Sequence, residues 1–127
     1  MSKVTRFEDL RCWMAARVLV KSVYSFSEEG KLARDFGTKD QLKRAALSVM
    51  NNIAEGFGRY STKEFIRYLE ISQSSATEVL SITYVLEDLE ITSKPNIEKI
   101  RQLADEARIL TLALIKYLKG RGVTPTP

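Results

Sequence analysis

Apolar residues recur along most of this chain at three- and four-residue steps, the period of an amphipathic helix. The clearest run is Leu42, Ala45, Ala46, Val49, Ile53 and Phe57, with the small residues Ala45, Ala46 and Ala54 open to close approach by a neighbouring helix. Gly56 and Gly58 then interrupt the pattern. Glycine is costly inside a helix but easy at a C-terminal cap, where positive φ is wanted. Ser61-Thr62-Lys63-Glu64 fits a capping box, in which serine and glutamate side chains each satisfy an orphan backbone donor. Thr38-Lys39-Asp40-Gln41 fits the same motif in its glutamine form. One helix therefore starts near Thr38 and ends near Gly58, and the next starts near Ser61. A connection this short forces the two to lie antiparallel and adjacent.

The same period predicts two further helices. The first starts near Phe7, behind a third capping box at Thr5-Arg6-Phe7-Glu8, and turns Leu10, Trp13, Ala16, Val20 and Val23 inward with Tyr24 beside them. A polar connection over residues 28–37, with one helical turn around Lys31–Asp35, leads to the second helix. The third, from about Thr62 to Leu89, carries two apolar stripes. Phe65, Leu69, Ala76, Val79, Thr83 and Leu86 form one; Tyr68, Ile71, Ser75, Ile82 and Leu89 form the other. Two stripes require burial on more than one side, so the second predicts a subunit interface. Gln73, Ser74, Ser75 and Thr77 add a small polar girdle. After a turn over Glu90–Asn96, Pro95 suits the first turn of a fourth helix. Ile97, Ile100, Leu103, Ala107, Leu110, Leu114 and Tyr117 follow heptad-like spacing there, and Gly120 stops it. The expected fold is all-α, an antiparallel up-down-up-down four-helix bundle in one domain over residues 1–119, with a disordered tail over 120–127.

Composition supports this class and removes several chemistries. The chain has 127 residues, long enough for a core without disulfides or structural metal. With one cysteine, Cys12, no internal disulfide forms, and a reducing compartment suits it. Cys12 reads as a small packed residue, although Arg11 beside it would lower a thiol pKa. The absence of histidine removes the commonest general base, the usual zinc ligand and every Ser-His-Asp arrangement. No catalytic residues, metal, cofactor or small-molecule substrate is expected. Without an apolar run of roughly 20 residues or a signal-like leader, the expectation is a cytoplasmic protein with no membrane contact.

The net charge of +4 is modest, but it is unevenly distributed. Residues 31–69 carry eight basic and four acidic side chains, residues 70–98 one and six, and residues 99–127 six and two. Solvated helix faces explain such segregation; so do a phosphate-binding surface and opposite-sign subunit surfaces. Around the bend, Asn52, Glu55, Arg59 and Glu64 lie near helix ends and could bond one another or the exposed backbone groups, with Gly56, Gly58 and Ser61 completing a structural corner. Arg59, Lys63 and Arg67, spaced four apart, are the candidate phosphate contacts, joined by Lys39, Lys43 and Arg44 from the second helix. Tyr60 and Tyr68 are aromatics within reach of unpaired bases. Trp13 reads as core filling.

FEDLRCWMAAR resembles the opening motif of the proteins encoded in intervening sequences of bacterial 23S ribosomal RNA genes. The central signature of that family is similar to Gln41, Arg44-Ala45-Ala46, Ser48, Asn52-Ile53-Ala54-Glu55-Gly56, Gly58-Arg59, Ser61, Glu64-Phe65 and Leu69; Ser75 and Glu78 match further positions. The resemblance runs from Phe7 to about Leu118 and departs at Met50, where relatives commonly carry proline, so a straighter helix is expected. It implies a four-helix bundle that assembles with itself in rings, notably pentamers, and binds RNA or DNA. A protein-binding scaffold is the competing expectation. A similar bundle is the reverse-transcriptase accessory protein of diversity-generating retroelements, whose strong positive charge this chain lacks.

Overall fold

Four α-helices carry the chain: α1 (Arg11–Phe26), α2 (Phe36–Phe57), α3 (Thr62–Asp88) and α4 (Lys94–Arg121). The structure, a computed structural model, describes residues 4–121, and no strand occurs among them. Short 3-10 turns at Phe7–Asp9 and Leu32–Arg34 precede α1 and α2. The first helix therefore opens at Arg11 rather than Phe7, and its entry carries no side-chain cap. Gly120 lies within α4 rather than ending it. The rest of the expected tail, residues 122–127, lies outside the described residues.

The cap of α2 is Asp35, whose Oδ1 accepts from the Thr38 amide at 3.2 Å; Thr38 is already helical. Ser61 does cap α3, its Oγ accepting from the Glu64 amide at 3.1 Å. Gly58 ends α2 at φ −79°, right-handed, so no positive φ is needed there. Among the described residues the left-handed residue that is not glycine is Glu90, with φ 50°, beyond the end of α3. Its amide donates to Glu87 O at 3.2 Å and the Ile91 amide to Leu86 O at 3.1 Å. This pair of bonds is a Schellman closure, with Leu86 and Ile91 both buried beneath it.

The core is filled by Leu19, Leu42, Ile53, Leu69, Leu86 and Ile100, all fully buried, each contributing roughly 1.5–3 kcal/mol through burial. Leu32 is as buried as these, and its amide donates to Ile91 O at 3.0 Å, tying the α1–α2 and α3–α4 connections together. Between helices, Ser72 Oγ donates to Val49 O and Ser48 Oγ shares a hydrogen with Ser75 Oγ, both at 2.7 Å, while Gln41 bonds Glu78. Arg101 bonds Thr83 and Glu87, and Lys119 lies 3.9 Å from Glu70. Residue numbers fall along one helix as they rise along its neighbour, a register compatible with an antiparallel arrangement. On α4 the buried line passes through Ala104, Thr111, Ile115 and Leu118, with Leu110, Leu114 and Tyr117 half-buried. It follows 3.6-residue rather than heptad spacing. On α1 the buried line is Cys12, Ala16, Leu19 and Val23, leaving Trp13 and Val20 half-buried. Met50 sits half-buried within an uninterrupted α2.

Two sequence expectations change. The second stripe of α3 is largely covered by α2, with Ser75 buried and Tyr68 and Ile82 half-buried, so only Ile71 and Leu89 remain exposed. Charge segregation is also partly resolved within the chain, because acidic α3 meets basic α4 at Glu87–Arg101 and Glu70–Lys119. Cys12 is 2% exposed, and burial pushes its pKa up to about 11 despite a hydrogen bond with Thr111. The lowering by Arg11 does not occur, because desolvation of the thiolate dominates.

Candidate nucleic-acid interface

The bend between α2 and α3 is set by close backbone approach. A Cβ built on buried Gly56 would lie 2.6 Å from Tyr68 Cβ and 3.0 Å from Phe65 Cδ1, so only glycine fits where the two helices converge. Phe57 and Phe65 then pack edge to face with centroids 5.8 Å apart. This contact holds the first turn of α3 against the last turn of α2 and presents Arg59, Tyr60, Lys63 and Arg67 outward, all exposed.

These side chains differ in how far they are committed. The Arg59 guanidinium lies 4.8 Å from the Tyr68 ring centroid, and its Nη2 donates to Tyr68 OH at 2.6 Å. Tyr60 is fully exposed, at 108% of its reference area. Lys63 and Arg67 border an open concavity of about 1020 Å³, completed from α4 by Leu118 and Lys119. Lys119 escaped the sequence reading because its proximity depends on α4 returning to this end. Glu64 and Glu70 share the wall, so the surface is positive but not uniformly so.

Of the two kinds of bond expected at the corner, those with backbone groups form. Among the described residues Asn52, Glu55, Arg59 and Glu64 make no bond to one another. Asn52 Nδ2 instead donates to Ser48 O and Oγ, both at 2.9 Å, joining the Ser48–Ser75 bridge. Glu55 is exposed on α2, and Glu64 takes part through its amide.

Lys39, Lys43 and Arg44 do not join the corner. Sixteen residues separate Lys43 from Arg59, and most of that interval is helix, placing them roughly 20 Å apart. Lys39 Nζ donates to Ala33 O at 3.0 Å and sits 5.1 Å from the Phe36 centroid. Lys43 Nζ lies 4.6 Å from the Tyr24 ring centroid and 3.6 Å from Glu28. Arg44 Nε meets Asp40 Oδ2 at 2.9 Å, and that hydrogen bond, with the carboxylate charge, raises the arginine pKa further. The six candidate cations thus form two groups at opposite ends of α2, with the far group engaged by local partners.

A family model described as 23S rRNA-intervening sequence protein matches residues 8–112. The chain belongs to that family. The matched span includes the bend, Gly56, Ser61 and all six candidate cations, whereas Lys119 lies beyond it. A crystal structure of a protein with unknown function from the S23 ribosomal protein family of Bacteroides thetaiotaomicron VPI-5482 is similar, with a TM-score of 0.75 and 22% identity. The likeness covers 83% of this chain and 98% of that one, and at this identity it establishes the fold alone. A search of curated proteins gives no match. Among the described residues no helix is long and apolar enough to cross a membrane.

Proposed function

We propose that this member of the 23S rRNA-intervening sequence family is a non-enzymatic, cytoplasmic antiparallel up-down-up-down bundle that self-associates and binds RNA or DNA through phosphate contacts. One observation carries the reading: Lys63 and Arg67 from α3 and Lys119 from α4 surround one open concavity, with Arg59 at the adjoining bend. Cations from separate elements around one concavity focus field on a polyanion better than cations spread along a helix. Lys39, Lys43 and Arg44 have smaller parts, since local partners must be displaced before they meet phosphate.

Titration with RNA and with DNA at about 50 mM and about 200 mM salt tests this, since counterion release makes phosphate binding weaken steeply with salt. Binding that falls several-fold or more supports the reading; no binding at the lower salt removes it.

A protein-binding scaffold is the second reading. It is favoured by exposed Val85, Leu89 and Phe36, which are 43%, 59% and 74% exposed near the other end of α3. Asp88 and Glu90 flank them, whereas Glu87 is held by Arg101. Charge reversal at Asp88 and Glu90, read by mass in solution, tests acidic-to-basic contact between copies. An unchanged assembly counts against it.

A further inference from the structure

We propose that the α2–α3 bend prefers single-stranded RNA or DNA over duplex, with Tyr60 stacking on an unpaired base while Lys63, Arg67 and Lys119 hold neighbouring phosphates. The inference rests on the nucleic-acid reading above and narrows its substrate class.

The two tyrosines of the bend differ decisively. Tyr68 is half-buried, with Arg59 over its ring and bonded to its hydroxyl. Tyr60 covers nothing, being 108% exposed in the short link between α2 and α3. An aromatic body left wholly in water forgoes the burial that aromatic side chains normally gain. A nucleobase supplies a flat apolar partner without requiring a particular sequence, since every base has a π-face. In a duplex those faces are stacked on one another, and extruding a base costs free energy.

The concavity suits the same ligand. Ile66 and Leu118 give it apolar wall, while Lys63, Arg67 and Lys119 supply cations. Apolar floor beside cationic rim matches the alternation of base and phosphate along an unpaired strand. Glu64 and Glu70 on the same wall lower its net positive charge, so phosphate contact falls to the three cations at the rim. Among the described residues Lys119 has the long 3.9 Å approach of Glu70 as its ion pair, and its exposed side chain can turn toward a ligand.

The test uses the full chain. Short single-stranded RNA and DNA oligonucleotides and the corresponding duplexes are titrated by fluorescence anisotropy in the same low-salt buffer, with wild type, Tyr60→Ala and Tyr60→Phe. The mass of each protein in solution is measured alongside. Single strands should bind more tightly than duplex. Tyr60→Ala should weaken single-strand binding about tenfold and leave duplex binding unchanged, and Tyr60→Phe should retain it. Equal affinity for both forms, with no effect of Tyr60→Ala, overturns the single-strand inference and leaves the phosphate reading standing. No binding of any polymer overturns both. A Tyr60→Ala variant that changes assembly mass but not single-strand affinity assigns the ring to contact between copies, and the inference falls.

Discussion

Gly56 and Tyr68 stand so close that a Cβ on the glycine would meet the Tyr68 Cβ at 2.6 Å. An interior helical Gly→Ala change ordinarily stabilises by about 0.5–1 kcal/mol. At Gly56 the obstacle is a Cβ fixed to backbone, so the helices must separate, and overpacking of this kind costs about 1–3 kcal/mol. Gly56→Ala should therefore lower stability by about 1–2 kcal/mol in urea unfolding. Gly37→Ala is the control: it lies in the first turn of α2 with nothing within 4 Å, so it should be neutral or stabilising.

Glu90 occupies the left-handed position of the α3 closure with a side chain that is not glycine. A left-handed conformation costs an ordinary L-residue about 1–2 kcal/mol, partly offset by the greater unfolded-state entropy of glycine. Glu90→Gly should raise stability by about 0.5–1 kcal/mol, seen as a higher urea midpoint with unchanged slope. A fall in stability would show that the Glu90 side chain contributes more than its backbone costs.

The cap of α2 distinguishes two neighbouring positions. Asp35→Ala removes the acceptor for the Thr38 amide and should cost about 1 kcal/mol. Thr38→Ala leaves that bond in place and should change stability by less than about 0.5 kcal/mol. Thermal unfolding of both variants decides between the two cap positions; equal losses would contradict the assignment to Asp35.

Cys12 gives a pH-dependent signature. Its folded pKa is raised from 9.0 to about 11, so the folded chain holds the proton more tightly than the unfolded one. The resulting stability is fully present below about pH 9 and is lost as pH rises through about 11. Wild type should therefore lose stability relative to Cys12→Ala across that window, by an amount on the order of 2–3 kcal/mol. At pH 8 the native thiol should react with iodoacetamide far more slowly than a free cysteine. Rapid labelling of folded protein would contradict its burial.

Helix positions were legible because their apolar residues recur at helical spacing over long runs: α2 ends at Phe57 and α3 begins at Thr62, where the glycines and Ser61 place them. Caps were less legible because several short polar sequences compete. Asp35 and Thr38 stand three residues apart, and both residue types are favourable N-caps. The Glu90 closure carries no sequence signal, since glycine normally marks that conformation. At the candidate site, Arg59, Lys63 and Arg67 were visible as a local four-residue spacing. The Asp40–Arg44 pair was also readable at i,i+4, and it argues against a free Arg44. Lys119 could be found only once α4 was seen to return beside the first turns of α3. The spare apolar stripe was overestimated because periodicity shows that a second face must be covered, not whether the cover comes from α2 or another copy.

Whether the cations around the α2–α3 bend and the α4 end meet phosphate is decided by the salt dependence of RNA affinity in wild type and in the variant combining Lys63→Gln, Arg67→Gln and Lys119→Gln. The variant should bind more weakly, with a slope of log affinity against log salt shallower by about 2–3, roughly one for each contact removed. An unchanged slope in a folded variant would contradict phosphate contact by these residues.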